Sequence, residues 1–332
     1  MRDPQHLLAR SWPWVVIALV VVLTPFTGSR FWIYNLSIVA LFSIAVIGLN
    51  VLVGYAGQIS FAPTTFMAIG GYSSALLTTK LGWDPWLALI AGLVLSTVVS
   101  VVIGFPILRL RGHYLAMGTF GLALATVALV LAATPVTNGP SGVPAVPPLR
   151  LGPINFATRV AFYWLAWVAC LLVVLAVAGL TASRAGRAWR ALATRENVAL
   201  SLGVDVRHYK LVAFVVSAFL ASLAGSLYAE FATFIAPDLF DITVLLRLFV
   251  MLFIGGVVTA EGPIVGAAVV TLVPTFLADL QSYQSIVFEI ALLVILIVRP
   301  QGLVGRASAA TPLQSALPNR LLRRFSRPVA SH

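Results

Sequence analysis

The stretch GRAWRALATRENVALSLGVDVRHYK, Gly186–Lys210, carries seven charged residues in a chain with only 21 basic and 10 acidic residues among 332. A soluble domain devotes about 25% of its residues to charge; here the share is 9%, and 60% of the residues are hydrophobic. Such a composition keeps much of its surface in lipid. Gly186–Lys210 is therefore a water-facing interruption in a membrane protein, and its side of the membrane fixes the topology. Within it, Thr194 is placed to cap a helix and Glu196 to sit in a first turn, while Gly203 follows Leu202 as a stop. The spacing predicts a helix over Arg195–Leu202, with Ala199 and Leu202 on the face of Arg195. A helix of this length needs a surface to lie on. A solvated loop whose arginines set topology and a docking helix for a partner both fit these residues. Upstream, Arg187, Trp189 and Arg190 suit a lipid interface.

On either side, runs of about 20 apolar residues mark membrane spans. Ten are expected, at 12–28, 31–54, 61–79, 85–108, 113–135, 160–182, 210–235, 242–258, 262–280 and 284–299. The third is the least apolar; Pro63, Gly70 and Gly71 leave open a full or a broken helix. The first has basic residues before it, as a signal peptide does, but Thr27-Gly28-Ser29 does not fit a cleavage site, so an uncleaved span is expected. With both termini inside, the inner segments are the two tails, 55–60, 109–112, 183–209 and 259–261. They hold 16 of the basic residues, against four outside (Arg30, Lys80, Arg150 and Arg159). Cytoplasmic segments show this bias, which puts Gly186–Lys210 inside and the Pro- and Gly-rich loop 136–159 outside. The fold class is an all-α integral membrane protein. Residues 1–301 form the membrane domain and 302–332 a basic, unstructured tail. Ten spans divide into two five-helix halves, whose odd offset requires any repeat to be inverted.

Basic residues at the ends of apolar runs serve orientation, not nucleic-acid binding. One cysteine, Cys170, excludes an internal disulfide. No phosphate-cradling G-x-x-x-x-G-K-[ST] is present, and His6, His113, His208 and His332 are scattered, so no metal site is expected. Ionisable residues within spans are functional candidates by default; Glu230, Arg247 and Glu289 qualify, as a structural ion pair or as substrate contacts. A second set is Gly54, Gly57, Gly70, Gly71, Gly255 and Gly256 with Gln58, Ser60 and Thr64. Bare glycine backbone permits tight helix packing or a helix break at a transit pathway.

The four stretches RALATRENVALSLGVDVRHYKLVAFVVSAFLASLAGSLYA (Arg190–Ala229), GLNVLVGYAGQISFAPTTFMAIGGYSSALL (Gly48–Leu77), RLRGHYLAMGTFGLALA (Arg109–Ala125) and LFIGGVVTAEGPIVGAAVV (Leu252–Val270) together resemble one family, the LivM-type permease subunit of branched-chain amino acid ABC importers. The pattern departs at Ala62-Pro63, where the family has Gly-His, so no histidine role carries over. The resemblance implies a non-enzymatic, multi-pass subunit of the bacterial inner membrane. It implies a related, non-identical second permease subunit, two ATPase subunits that bind the ATP, and a soluble binding protein. The helix holding Arg195, Glu196, Asn197, Ala199, Leu202 and Gly203 would be the coupling helix that an ATPase grips. Relatives move branched-chain amino acids or small amides and carboxylates. A stand-alone ion-coupled transporter is the alternative, and it would need acids near the membrane midplane.

Overall fold

A computed structural model describes residues 14, 16–27, 29–110, 112–151, 154–194, 196–201, 203–276 and 302–304. The chain is a bundle of helices. Helix α1, Val16–Phe26, ends in a tighter turn, Thr24–Thr27. Helix α2, Arg30–Leu49, widens into a π turn, Asn50–Tyr55. Then come α3 (Pro63–Leu81), α4 (Pro85–Ile107), α5 (His113–Ala132) and the short α6 (Thr134–Thr137). Helix α7, Arg159–Ala182, leads to α8 (Arg184–Thr194) and α9 (Glu196–Ser201). The bundle is completed by α10 (Val206–Ala232), α11 (Ile242–Gly255) and α12 (Gly262–Phe276). Five of these, α2 with its π turn, α4, α5, α7 and α10, are long and apolar enough to cross a membrane. Each expected span from the first to the ninth falls on a described helix; the tenth, with Glu289, lies outside the described residues.

Three of the few acids start helices. Asp84 accepts from the Trp86 amide at 2.9 Å ahead of α4, Asp205 from the His208 amide at 3.1 Å ahead of α10, and Asp241 from the Thr243 amide ahead of α11. Such caps satisfy amides that no helical carbonyl can reach. Inside the bundle, several hydroxyls turn back onto their own helices: Ser37 donates to the Ile33 carbonyl and Ser43 to the Val39 carbonyl, so these two are satisfied in an apolar setting.

Helix α10 is the axis, packed by α2, α3 and α4; α2 also meets α7 and α12. Valines and leucines of α4 and α7, among them Val94, Val98, Val102, Leu171, Leu172 and Leu175, stay exposed. That pattern is normal where the solvent is hydrocarbon. Helix α3, which the sequence left as full or broken, is one unbroken helix with Pro63 at its first position. There the missing N–H costs nothing.

Two short ladders join the loops of this otherwise helical protein. Val143–Pro144 (β1) pairs antiparallel with Phe234–Ile235 (β4), and Arg150–Leu151 (β2) with Ile154–Asn155 (β3). Two-residue ladders carry no periodic signal to read. They lie at the end of the bundle where Lys80 donates to the Pro135 carbonyl at 3.0 Å and the Trp86 indole donates to the Arg150 carbonyl at 2.9 Å. At the opposite end, residues 302–304, assigned from sequence to a loose tail, dock on the end of α11. Leu303 N–H donates to the Ile254 carbonyl at 2.7 Å and Val304 N–H to the Gly255 carbonyl at 3.2 Å.

Candidate functional site

The end of the bundle that holds α8 and α9 concentrates the polar chemistry. The π turn brings Asn50 out of line with α2, and its buried amide reaches the loop between α11 and α12. Asn50 Nδ2 donates to the Thr259 carbonyl at 2.8 Å, and Asn50 Oδ1 accepts from the Val258 amide at 2.9 Å. Val258 is β-branched yet has φ of 64°, a conformation that persists only where its surroundings impose it. Gly54 lies against Asn50 Oδ1, where any Cβ would collide. A leucine at position 50 removes both part-buried hydrogen bonds and leaves the Val258 N–H and the Thr259 carbonyl without them, each bond worth about 1 kcal/mol. Asn50→Leu is therefore expected to lower the melting temperature clearly, as read by thermal unfolding of the purified protein; an unchanged value would refute the clamp.

From the π turn the chain runs through 56–62 without helix. At one end Gly57, with φ of 66°, sits against the backbone of Ala193 in α8. At the other, the Phe61 amide donates to Thr119 Oγ1 of α5 at 3.0 Å, and the Phe61 ring lies 5.0 Å from that of Phe249 in α11. Thr119 is six residues into α5, about 9 Å along its axis at 1.5 Å per residue. Non-helical backbone thus climbs from the surface to membrane depth, which is tolerated only inside protein or beside a cavity. The segment is only partly satisfied. Ser60 Oγ accepts from the Ala62 amide at 3.3 Å. By contrast, both amide atoms of Gln58 and the hydroxyl of Thr64 are buried without a hydrogen-bond partner among the described residues.

The remaining glycines serve packing. A Cβ on Gly70 would strike the Ser222 carbonyl of α10, one on Gly71 the Ile235 side chain, and one on Gly255 the Gly262 carbonyl; Gly256 adopts φ of 116°. Among the intramembrane charges, Glu230 is 2% exposed and accepts from Ser74 Oγ of α3 at 3.0 Å. Arg247 lies on the exposed side of α11. Among the described residues no ion pair joins the two. Ser74 and Asn50 escaped the sequence reading. For Asn50 a signal existed, an amide alone in the apolar run VIGLNVLVG (Val46–Gly54).

The stretch Gly186–Lys210 differs from expectation. A full helix, α8, precedes the expected one. Its face of Gly186, Trp189 and Leu192 is buried, and the Trp189 indole, 0% exposed, donates to the Tyr209 carbonyl of α10 at 2.9 Å. Its arginines disguised this face as an interfacial segment. Thr194 closes α8, its hydroxyl donating to the Arg190 carbonyl at 3.0 Å. Arg195 and Leu202 lie outside the described residues, and for Glu196 and Asn197 only the backbone, within α9, is described. Ala199 is buried against the chain while Leu200 is 48% exposed. Gly203, with φ of 75°, stops α9. Leu200 faces a cavity of about 370 Å³ lined also by Leu108, Arg109, Asp205, Val206, Arg207 and Lys210.

Comparison with known proteins bears on the whole of this architecture. The family model described as "Branched-chain amino acid transport system / permease component" matches residues 32–298. The chain belongs to this permease family. It is thus a transport subunit of the bacterial inner membrane, not an enzyme. It is 32% identical to the high-affinity branched-chain amino acid transport system permease protein LivM of Escherichia coli (strain K12), over 87% of this chain and 74% of that protein. Against LivM of Salmonella typhimurium (strain LT2) it is 31% identical, over 91% and 76%. The permease protein LivH of Escherichia coli (strain K12) is 25% identical, over 80% and 91%. No solved structure matches. Two of the four blocks that carry the family resemblance, Gly48–Leu77 and Leu252–Val270, meet at the Asn50 clamp.

Proposed function

We propose that this chain forms one half of the translocation pathway of an ATP-driven importer of branched-chain amino acids, or of related small amides or carboxylates. A second, non-identical permease subunit supplies the other half. Its support is that LivM and LivH, two permease proteins of one organism, are both similar to this chain. Two separate ATPase subunits bind the ATP and grip α8 and α9, and a soluble binding protein delivers substrate at the opposite face. In this reading the spans number ten, both termini are cytoplasmic, and the two five-helix halves form an inverted repeat, with 136–159 periplasmic. The bias of basic residues supports that orientation.

The observation that carries the reading is the mounting of α8 and α9. A docking element must be rigidly joined to the spans it moves and must offer the motor an apolar grip. Trp189 provides the join, buried and bonded to α10, and Leu200 provides the grip, exposed on α9. Short helices seated in a partner's groove are a common mode of recognition. Closure of the ATPases then pushes α8 against the non-helical segment at Gly57 and tilts α10. Glu230, held by Ser74, serves as a fixed link between α3 and α10.

The test is the double substitution Glu196→Arg and Leu200→Asp in the complete transporter. Leucine uptake and pull-down of the ATPase subunits are both expected to fall below a tenth of wild type, about 1.4 kcal/mol or more of lost interaction, with membrane insertion normal. Unchanged association and uptake would reduce the stretch to a topology-setting loop.

A further inference from the structure

The start of α3 gathers more unsatisfied polar groups than a resting helix end explains. Pro63 has no N–H to offer, and the N-cap, Ala62, has no side-chain acceptor. The Phe66 amide is the first to find a carbonyl, that of Ala62 at 3.3 Å; no acceptor among the described residues meets the amides of Thr64 and Thr65. Thr64 is 1% exposed, and its hydroxyl has no partner among the described residues. In a helix the Cα–Cβ bond leans toward the N-terminus, so this hydroxyl lies beside the free amides. Gln58, 5% exposed, in the segment leading to the same point, finds no partner among the described residues for its amide oxygen or its amide nitrogen. Buried polar groups are nearly always bonded, and unmet ones call for a ligand or a trapped water.

The orphaned set is mostly donors, the N–H of Thr64 and of Thr65, the Thr64 hydroxyl and the Gln58 NH₂, with the Gln58 oxygen as an added acceptor. The positive end of a helix dipole suits an anion. Beside it stands an aromatic cluster: Phe61 with Phe120 at 5.8 Å and with Phe249 at 5.0 Å, and Phe249 with Phe253 at 6.2 Å. Phe120 and Phe253 are exposed, which leaves this wall open at the bundle surface.

We infer that the N-terminus of α3, with Thr64 and Gln58, is a recognition point for a zwitterionic amino acid that has an apolar side chain. The carboxylate takes the N–H and hydroxyl donors, the ammonium group donates to Gln58 Oε1, and the side chain rests on the Phe61 cluster. The inference rests on the importer function proposed above and gives that pathway a specific point of contact. Gly57, one residue before Gln58, touches α8 at Ala193, so motion of α8 reaches the site directly through the backbone.

The experiment uses the complete transporter in proteoliposomes, with leucine as the probe. Gln58→Leu and Thr64→Val are each expected to cut uptake about tenfold or more, the value of a hydrogen bond to a charged group. ATP hydrolysis stimulated by leucine-loaded binding protein should persist, so that more ATP is spent per leucine moved. Because each variant deletes an unpaired buried group, its melting temperature should equal or exceed wild type; Thr64→Ser should restore uptake. Wild-type uptake in both variants would overturn the site while leaving the importer function standing. A loss of uptake that tracks a lowered melting temperature would also overturn it, by reducing both residues to structural ones. If the unaltered transporter moves no leucine, the amino-acid substrate falls and the ligand assigned here falls with it.

Discussion

Trp189→Ala is expected to free α8 from the bundle and abolish transport. The indole is fully buried, and its N–H is bonded to the Tyr209 carbonyl. Removing a buried tryptophan side chain costs about 3–5 kcal/mol, and the orphaned carbonyl adds about 1 kcal/mol or more. Set against a typical stability of about 5–15 kcal/mol, that loss exceeds what an 11-residue helix can supply on its own. The loss is local, because the contacts of α10 with α2, α3 and α4 do not involve Trp189. The expected result is thus a protein that still inserts and purifies, becomes sensitive to protease within 183–205, and no longer retains the ATPase subunits. Trp189→Phe keeps most of the packing and loses the hydrogen bond, so it should fall between the two, nearer wild type. Wild-type protease resistance in the alanine variant would show that α8 is held by something other than this side chain.

What the sequence showed here, and what it hid, divides along physical lines. Spans were legible because an apolar run long enough to cross a membrane has few other uses. The stop at Gly203 was legible for a similar reason, since few residues but glycine suit its conformation. Helix α8 was not. Its buried face consists of Gly186, Ala188, Trp189 and Leu192 among three arginines, Arg184, Arg187 and Arg190, and such a pattern reads equally well as a helix lying on lipid. Only the Tyr209 carbonyl, 20 residues on, decides between the two. The same holds for the glycines: Gly54, Gly57, Gly70 and Gly255 stood out by type, but what each one touches is tertiary. Glu230 stood out by its cost in a membrane, whereas its partner Ser74 lies 156 residues away. Serine, common in these helices, gave no sign of the role.

The crossing of α3 and α10 should prove the least tolerant place in the chain. A Cβ on Gly225 would strike the Met67 carbonyl, and one on Gly70 the Ser222 carbonyl; the two backbones touch with nothing between them. In a membrane, where helices gain no hydrophobic energy by meeting, this close packing is itself a main source of cohesion. The same approach sets the surrounding bonds: Ser74 to Glu230 at 3.0 Å, Ser222 to the Gly92 carbonyl at 3.3 Å and Ser96 to the Ala218 carbonyl at 3.3 Å. Since the obstacle is backbone on both sides, no rotamer change can relieve it. Gly225→Val must separate the helices, and it is expected to cost about 3 kcal/mol or more, the upper range for overpacking. Glu230 would then lose its described partner inside the membrane. The loss should appear as little monodisperse protein after detergent extraction and a large fall in melting temperature. Gly121→Ala in α5 is the matched control. Nothing lies within 4 Å of where its Cβ would go, and alanine is the better helix former by about 1 kcal/mol, so that variant should extract as well as wild type. Gly70→Val combined with Gly225→Val should cost less than the sum of the two, because one displaced crossing accounts for both. Equal stability of the Gly225 and Gly121 variants would mean that the bundle is held elsewhere than at this contact.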